Sequence, residues 1–387
     1  MPNTCLPRVI VIGAGSLGLC TALSLAERGA KVTVLEAKTI ASGSTGRSVG
    51  VVGTQFTDST EILLRHHTMT HFARWEAAGL RFNHIGYLRL ARTQAQMALF
   101  RESVRMQAEA GFRAKMYDAE ELTRLVPHMD PAGLAGGIFG PDNGFLDPHE
   151  LSMFLAERLR TLGSEVRQFC AVTGATRHHG AYRLETTKGS FDGDIVVNAA
   201  GAWASRLAAM LGQNLHLRAE RHEAILVLLD QPLGYTMPMV MDLVNGEGTG
   251  LNFRHEKPGE LIAEIHKADS SRDEDPDAYG EHCEEASKIH LAELLLERLP
   301  ALPGARLGRG WAGLYPVTAD HRPFVGPIDP DEPGLITAAG AGGYGIQLAP
   351  VIGQIAADWA LDGAPISTPE LGSLAPSAVR NIPDARK

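Results

Sequence analysis

Cysteine is scarce in this chain. Its four cysteines, Cys5, Cys20, Cys170 and Cys283, are scattered and form no C-x-x-C pair. That spacing offers no metal or redox motif and makes a reducing cytoplasm the simpler expectation. Positive charge is also short, with 36 Lys and Arg against 45 Asp and Glu, a formal charge of −9. No basic patch stands out to neutralise phosphates, which argues against nucleic-acid binding. No run of about 18 uncharged apolar residues occurs, so no membrane span is expected. The apolar run near residue 9 is broken by glycines and lacks a basic n-region, so no signal peptide is expected. The pairs His66-His67 and His178-His179 lack metal-ligand spacing with other candidates, and no metal site is expected. Internal repeats and low-complexity linkers are absent too.

What is present points to an α/β enzyme. The 387 residues suffice for two domains, and 44% hydrophobic content with 42 Gly and 22 Pro fits a loop-rich fold. Arg8 to Ile12 (RVIVI) reads as a short buried strand, followed by Gly13-Ala14-Gly15-Ser16-Leu17-Gly18, a G-x-G-x-x-G turn. Leu19 to Arg28 continues as a small-residue helix that Gly29 ends, and Lys31 to Leu35 is a second strand closed by Glu36. Gly13 permits the tight turn, Gly15 lets the backbone approach a pyrophosphate, and Gly18 packs the helix on the strand. The helix N-terminus offers unpaired N–H groups to phosphates, and Glu36 would accept from both ribose hydroxyls.

The segment after Glu36 favours FAD over NAD. Residues 41–52 (ASGSTGRSVGVV) supply small residues, hydroxyls and one cation where an NAD domain would proceed to another βα unit. Asp194 to Gly201 reads as a buried strand ending in small residues, followed by Ala202-Trp203-Ala204. Leu335 to Ala339 is a strand leading into Gly340 to Pro350 (GAGGYGIQLAP), with a helix to about Leu361. That second glycine-rich turn aims another helix N-terminus at an anion.

On these segments, together with Trp311 to Gly326, the chain resembles the FAD-dependent D-amino-acid oxidase superfamily, in its glycine oxidase and sarcosine oxidase branch. The resemblance implies a Rossmann-like FAD-binding domain interleaved with a substrate domain built on a large mixed β-sheet. It places residues 1–85, 141–215 and 305–387 in the first, and 86–140 and 216–304 in the second. Expected helices are His66 to Ala78, Thr93 to Ala110, Asp118 to Val126, His149 to Leu162 and Glu284 to Arg298. Expected strands are Gly86 to Ala91, the segment around Phe169 to Val172, Ala224 to Leu229, Gly250 to Arg254 and Leu261 to His266. The acidic stretch Asp269 to Asp277 reads as a solvated loop.

The resemblance also assigns residues. Gly13, Gly15, Ser16, Leu17, Gly18, Glu36, Ala37 and Lys38 would hold the adenosine and pyrophosphate, with Val172 against the adenine. Ser42, Ser44, Thr45, Arg47, Ser48, Val49 and Gly50 would follow the cofactor, joined by Ala200, Gly201 and Trp203. Gly313, Gly342, Gly343, Tyr344, Gly345, Ile346 and Gln347 would surround the flavin. The implied reaction moves hydride from the carbon α to an amine onto flavin N5, giving an imine that water hydrolyses, with oxygen or a redox partner as electron acceptor.

Three departures bear on the substrate. Tyr315 stands where glycine-oxidase-like members carry a carboxylate-clamping arginine. Gln347 stands where sarcosine-oxidase-like members carry a lysine, and their oxygen-activating lysine matches near Asn252. Gly313 replaces their flavin-bonding cysteine, and no histidine occurs in Ser42 to Gly50, so FAD is expected to be non-covalent. A carboxylate would need another cation among Arg47, Arg89, Arg221 and Arg254, with Arg254 and His255 favoured. Tyr87, Tyr315 and Tyr344 could form an aromatic cage around an amine cation. The leading expectation is oxidation of a small secondary amine or amino acid. A 2-hydroxy acid or polyol dehydrogenase, a non-catalytic FAD-binding subunit or assembly factor, and a nicotinamide dehydrogenase are the alternatives. Oligomeric state stays open.

Overall fold

The computed structural model describes residues 7–178, 180–243, 250–266 and 273–375. Cys5, His179 and residues 269–272 of the acidic stretch therefore lie outside the described residues. The chain builds two large sheets. The first has six strands in the order Phe324–Pro327, Leu335–Ala339, Ile195–Asn198, Arg8–Ile12, Lys31–Leu35 and Glu165–Arg167, all parallel except the Phe324–Pro327 edge. Its strands are short apolar runs because both faces are covered. Val9 and Val11 pack under the helices Ser16–Glu27, Pro148–Thr161 and Gly345–Asp362. Ile10 and Ile12 meet Tyr182 and Leu184 of Ala181–Thr186, the middle strand of a three-stranded sheet with Val172–His178 and Gly189–Gly193, on the other face.

The second sheet has eight strands, in the order Arg306–Val317, Arg218–Leu228, Glu260–His266, Gly250–Lys257, Met239–Leu243, Tyr87–Ala91, Gly136–Gly140 and Lys115–Asp118. Only Met239–Leu243 and Tyr87–Ala91 pair in parallel. Leu251 and Phe253 point into a core that also holds Leu261, Ala263, Leu291 and Leu295. By the two-residue period of a strand, Asn252 and Glu264 point to the opposite face. That face carries the functional site.

Several expected boundaries move for identifiable reasons. The helix expected from His66 runs Ser59–Ala77, because the Asp58 side chain accepts from Glu61 N at 3.0 Å and caps it about two turns earlier. The dinucleotide helix begins at Ser16. The strand expected around residue 169 begins at Val172, since Phe169 sits at φ +55°. Arg306–Val317 pairs along its length with Arg218–Leu228, so the expected boundary at 305 does not coincide with a change of sheet.

The helices Ser16–Glu27 and Gly345–Asp362 cross at Gly353. A β-carbon there would lie 2.5 Å from the Cys20 carbonyl carbon and 2.7 Å from Thr21 N, so the two backbones touch. Helix propensity alone would make Gly353→Ala stabilising by about 1 kcal/mol. The clash is with rigid backbone, and overpacking costs about 1–3 kcal/mol. Gly353→Ala should therefore lower the thermal midpoint, measured by calorimetry. A raised midpoint would contradict the close approach.

Candidate active site

Two cavities adjoin where the two sheets meet. The first, of about 250 Å³, runs from the Gly13–Leu17 turn and Glu36 to the Gly342–Gly343 turn. Gly13 has φ +109°, and a β-carbon on it would come 2.4 Å from Ala199 O. Gly18 does not face the cavity, as its α-carbon packs on Gly13 O. Glu36 accepts from Ala14 N and Lys38 N, each at 2.8 Å, which rigidifies the turn and holds the carboxylate at the cavity edge. Helices Ser16–Glu27 and Gly345–Asp362 both begin without a side chain of their N-cap residue bonded to the first turn. Their N-terminal residues, Ser16 and Gly345, line this cavity; Ser16 N donates to Thr45 Oγ1 at 3.0 Å, and the positive ends of both helix dipoles face the space where an anion would sit.

Most of the expected cofactor residues line this first cavity. They include Gly15, Ser16, Leu17, Ala37, Lys38, Ser42, Ser44, Thr45 and Ser48 from the N-terminal third. Val172, Ala200, Gly201, Trp203, Gly342, Gly343, Gly345 and Ile346 complete its wall. Asp277, read from sequence as part of a solvated loop, also lines it and accepts from Trp203 Nε1 at 2.8 Å. The residues fit a dinucleotide: a cradle that β-carbons would fill, uncapped helix ends and an acid for hydroxyls.

The second cavity, of about 410 Å³, shares Ser48, Tyr315, Ala341, Gly342, Gly343 and Ile346 with the first. Its floor is the eight-stranded sheet, contributing Tyr87, Glu220, His222, Met239, Met241, Asn252, Glu264 and Tyr315. Val49, Phe56, Tyr344 and Gln347 close it from the other side. Tyr315 stacks on His222 with ring centroids 3.9 Å apart and 17° between planes, and burial pushes its phenol pKa well up. It lies so close to Gly343 that a β-carbon there would meet Tyr315 Cε2 at 2.5 Å. Phe56 meets Tyr344 edge-on at 5.5 Å. Gln347 Oε1 accepts from Gly53 N at 2.9 Å, so its amide ties the helix to the loop.

The cations expected to meet a carboxylate lie elsewhere. Arg254 is buried but lines neither cavity: Nε and Nη2 donate to Val49 O, and Nη1 donates to His255 O and Glu256. Its guanidinium lies 3.8 Å over the Phe145 ring and anchors the loop from behind. His255, next along the strand, is also outside both cavities. Arg47 turns back to Ser42 O and Gly43 O and pairs with Glu281 at 2.6 Å. Arg89 donates to Gln55 O, and Arg221 to Gly280 O and His282 O. Gly313 packs on Arg47 Cβ, and the α-carbon of Gly50 on Leu146 O, both behind the cavity wall.

Sequence reasoning missed Glu220, His222, Glu264, Met239 and Met241 as lining residues. The available signal was a polar residue at every second position of strands whose alternate residues are core. Among the described residues, no cluster of three His, Cys, Asp or Glu side chains is placed to hold a metal ion.

A dinucleotide cradle opening onto a separate chamber defines a cofactor-dependent redox protein with its own substrate compartment. The chain belongs to the family described as FAD dependent oxidoreductase, whose model matches residues 8–359. Its cofactor is accordingly FAD. It is 26% identical to human mitochondrial dimethylglycine dehydrogenase over 375 residues, covering 92% of this chain and 42% of that protein. The chain thus spans less than half the length of that relative. It is 25% identical to glycine oxidase of Geobacillus kaustophilus (strain HTA426), covering 90% of this chain and 92% of that enzyme. Among solved structures, L-proline dehydrogenase from P. horikoshii superposes with a TM-score of 0.86 at 26% identity, covering 96% of this chain and 97% of that one.

Glu36→Gln removes the charge from one end of the cradle. A hydrogen bond to a charged group contributes about 1.5–3 kcal/mol. FAD affinity, measured by titrating apoprotein, should fall by roughly tenfold or more. Unchanged affinity would remove Glu36 from the cofactor site.

Proposed function

We propose that this protein oxidises the C–N bond of a small amine or amino acid, with secondary or N-alkyl amines favoured, using non-covalent FAD. The observation that carries this reading is the second cavity, which meets the cofactor cavity across Tyr315 and the Gly342–Gly343 turn. FAD, when bound, accepts two electrons and the hydrogen from the carbon next to nitrogen, and water hydrolyses the resulting imine. The chain's own residues orient the amine. Tyr315, fixed between Gly343 and the His222 ring, and Tyr344 on the opposite wall line the chamber with aromatic surface against which an N-alkyl group can pack. Gly313 and the absence of cysteine and histidine from residues 42–50 support non-covalent attachment. Relatives named for glycine, sarcosine and dimethylglycine support nitrogen substrates. The buried free thiols of Cys20, Cys170 and Cys283 favour a reducing compartment such as the cytoplasm.

Anaerobic mixing with a panel of N-methyl amines, cyclic amines, D-amino acids and 2-hydroxy acids tests the reaction class. Secondary amines should bleach the flavin absorbance fastest. Bleaching by 2-hydroxy acids alone, or by no compound, would overturn the proposal.

Tyr315 generates a sharper expectation. A phenol cannot neutralise a carboxylate, and leaving that charge uncompensated costs about 2–5 kcal/mol. Glycine should therefore be a poor substrate. Tyr315→Phe should change kcat/KM for the best amine while FAD content stays at the wild-type level. Efficient glycine turnover by the unmodified protein would contradict this role, as would unchanged kinetics in the variant.

A further inference from the structure

The second cavity carries an unequal set of charges. Its lining holds the carboxylates of Glu220 and Glu264 and two histidines, but no lysine or arginine among the described residues. Glu220 is offset by Arg218, 2.8 Å away. Glu264 makes one hydrogen bond, accepting from Asn252 Nδ2 at 2.9 Å, and has no ion-pair partner among the described residues. Asn252 is only 3% exposed, yet its Oδ1 has no hydrogen-bond partner among the described residues. An unengaged amide oxygen, itself buried, therefore lies beside a carboxylate at the floor. Both accept hydrogen bonds and neither donates. Met239, Met241 and Tyr87, on the two strands beyond Asn252, make the adjoining floor apolar.

An ammonium group suits this floor. It brings N–H donors for both oxygens and a positive charge for Glu264, while its alkyl groups can rest on the methionines. A substrate carboxylate would bring a second negative charge into a chamber whose described lining holds no lysine or arginine, and the guanidinium that acts on Glu264 from outside it, Arg254, is already held by Val49 O, His255 O and Glu256. We propose that the cavity admits amine cations that carry no carboxylate, and that Glu264, held by Asn252, receives the substrate ammonium. The assignment rests on the amine-oxidising reading above and narrows its substrate class. It also supplies a route for the proton that must leave nitrogen before oxidation. The N–H bond breaks with its electron pair remaining on nitrogen, and the proton forms an O–H bond with the Glu264 carboxylate. Burial raises the carboxyl pKa of Glu264, which suits it to take that proton.

Three compounds of similar shape separate charge from fit: tert-butylammonium, tert-butanol and pivalate. None has a hydrogen on the carbon next to its heteroatom or carboxylate, so none can be oxidised in the manner proposed. Isothermal calorimetry on the purified holoprotein should show tert-butylammonium binding at least about tenfold more tightly than tert-butanol, with pivalate weakest. Glu264→Gln keeps the side-chain shape and should remove most of the ammonium preference with bound FAD per chain unchanged. Pivalate binding as tightly as tert-butylammonium would overturn the proposal, and that comparison needs no variant. An ammonium preference undiminished in Glu264→Gln would remove Glu264 from the site. If tert-butylammonium binds as stated but no amine bleaches the flavin, the oxidation reading fails and the ammonium site stands. If carboxylate-bearing amines bleach it and pivalate binds best, the reverse holds.

Discussion

Backbone contact between two helices at Gly353 governs the geometry of the cofactor cavity. With no side chain between them, Ser16–Glu27 and Gly345–Asp362 approach until Gly353 rests on Cys20 and Thr21. Each helix starts at a glycine-rich turn and neither has a side-chain cap. The crossing brings the starts of both helices, and the positive ends of their dipoles, to one cavity. A β-carbon at the crossing would move one turn relative to the other. The cradle for the phosphates and the wall beneath the substrate chamber are thus positioned by a single packing constraint.

The substrate sheet is fixed to this cradle through the loop at residues 41–50. Ser44 Oγ donates to Leu314 O at 2.6 Å, Trp311 Nε1 donates to Arg47 O at 2.8 Å, and Arg254 grips Val49 O from below. These bonds run from strands of the eight-stranded sheet to a segment that lines both cavities. Arg254 therefore holds the chamber together from outside it. With that cation and Arg47 committed to backbone carbonyls, the chamber is left with aromatic rings, methionines and carboxylates.

The cofactor half of this arrangement was legible in the sequence because its determinants are local. Gly13 to Gly18, Glu36 and the Gly340 to Pro350 turn each state a backbone geometry within a few residues. The substrate half depends on pairing between distant strands. Asn252 and Glu264 meet only because Gly250–Lys257 pairs antiparallel with Glu260–His266 in a register that sets them opposite each other. A one-residue slip would have turned both into the core. Arg254 shows the same limit from the other side. Its place at the end of a strand suggests a clamp, and by the two-residue period it shares the face of Asn252, but its guanidinium is taken up by Val49 O, His255 O and Glu256, partners that only the tertiary fold supplies. Helix starts were misjudged where a short polar side chain, such as Asp58, caps ahead of the first apolar residue.

The central claim is that the cradle between the two helix N-termini holds FAD without a covalent bond. The most direct measurement is to denature the purified protein with acid, separate the chain from small molecules, and identify and quantify the released flavin by mass spectrometry. The account predicts a yellow protein that releases intact FAD at close to one molecule per chain. A colourless protein that cannot be reconstituted with FAD, or flavin that stays with the denatured chain, would contradict it.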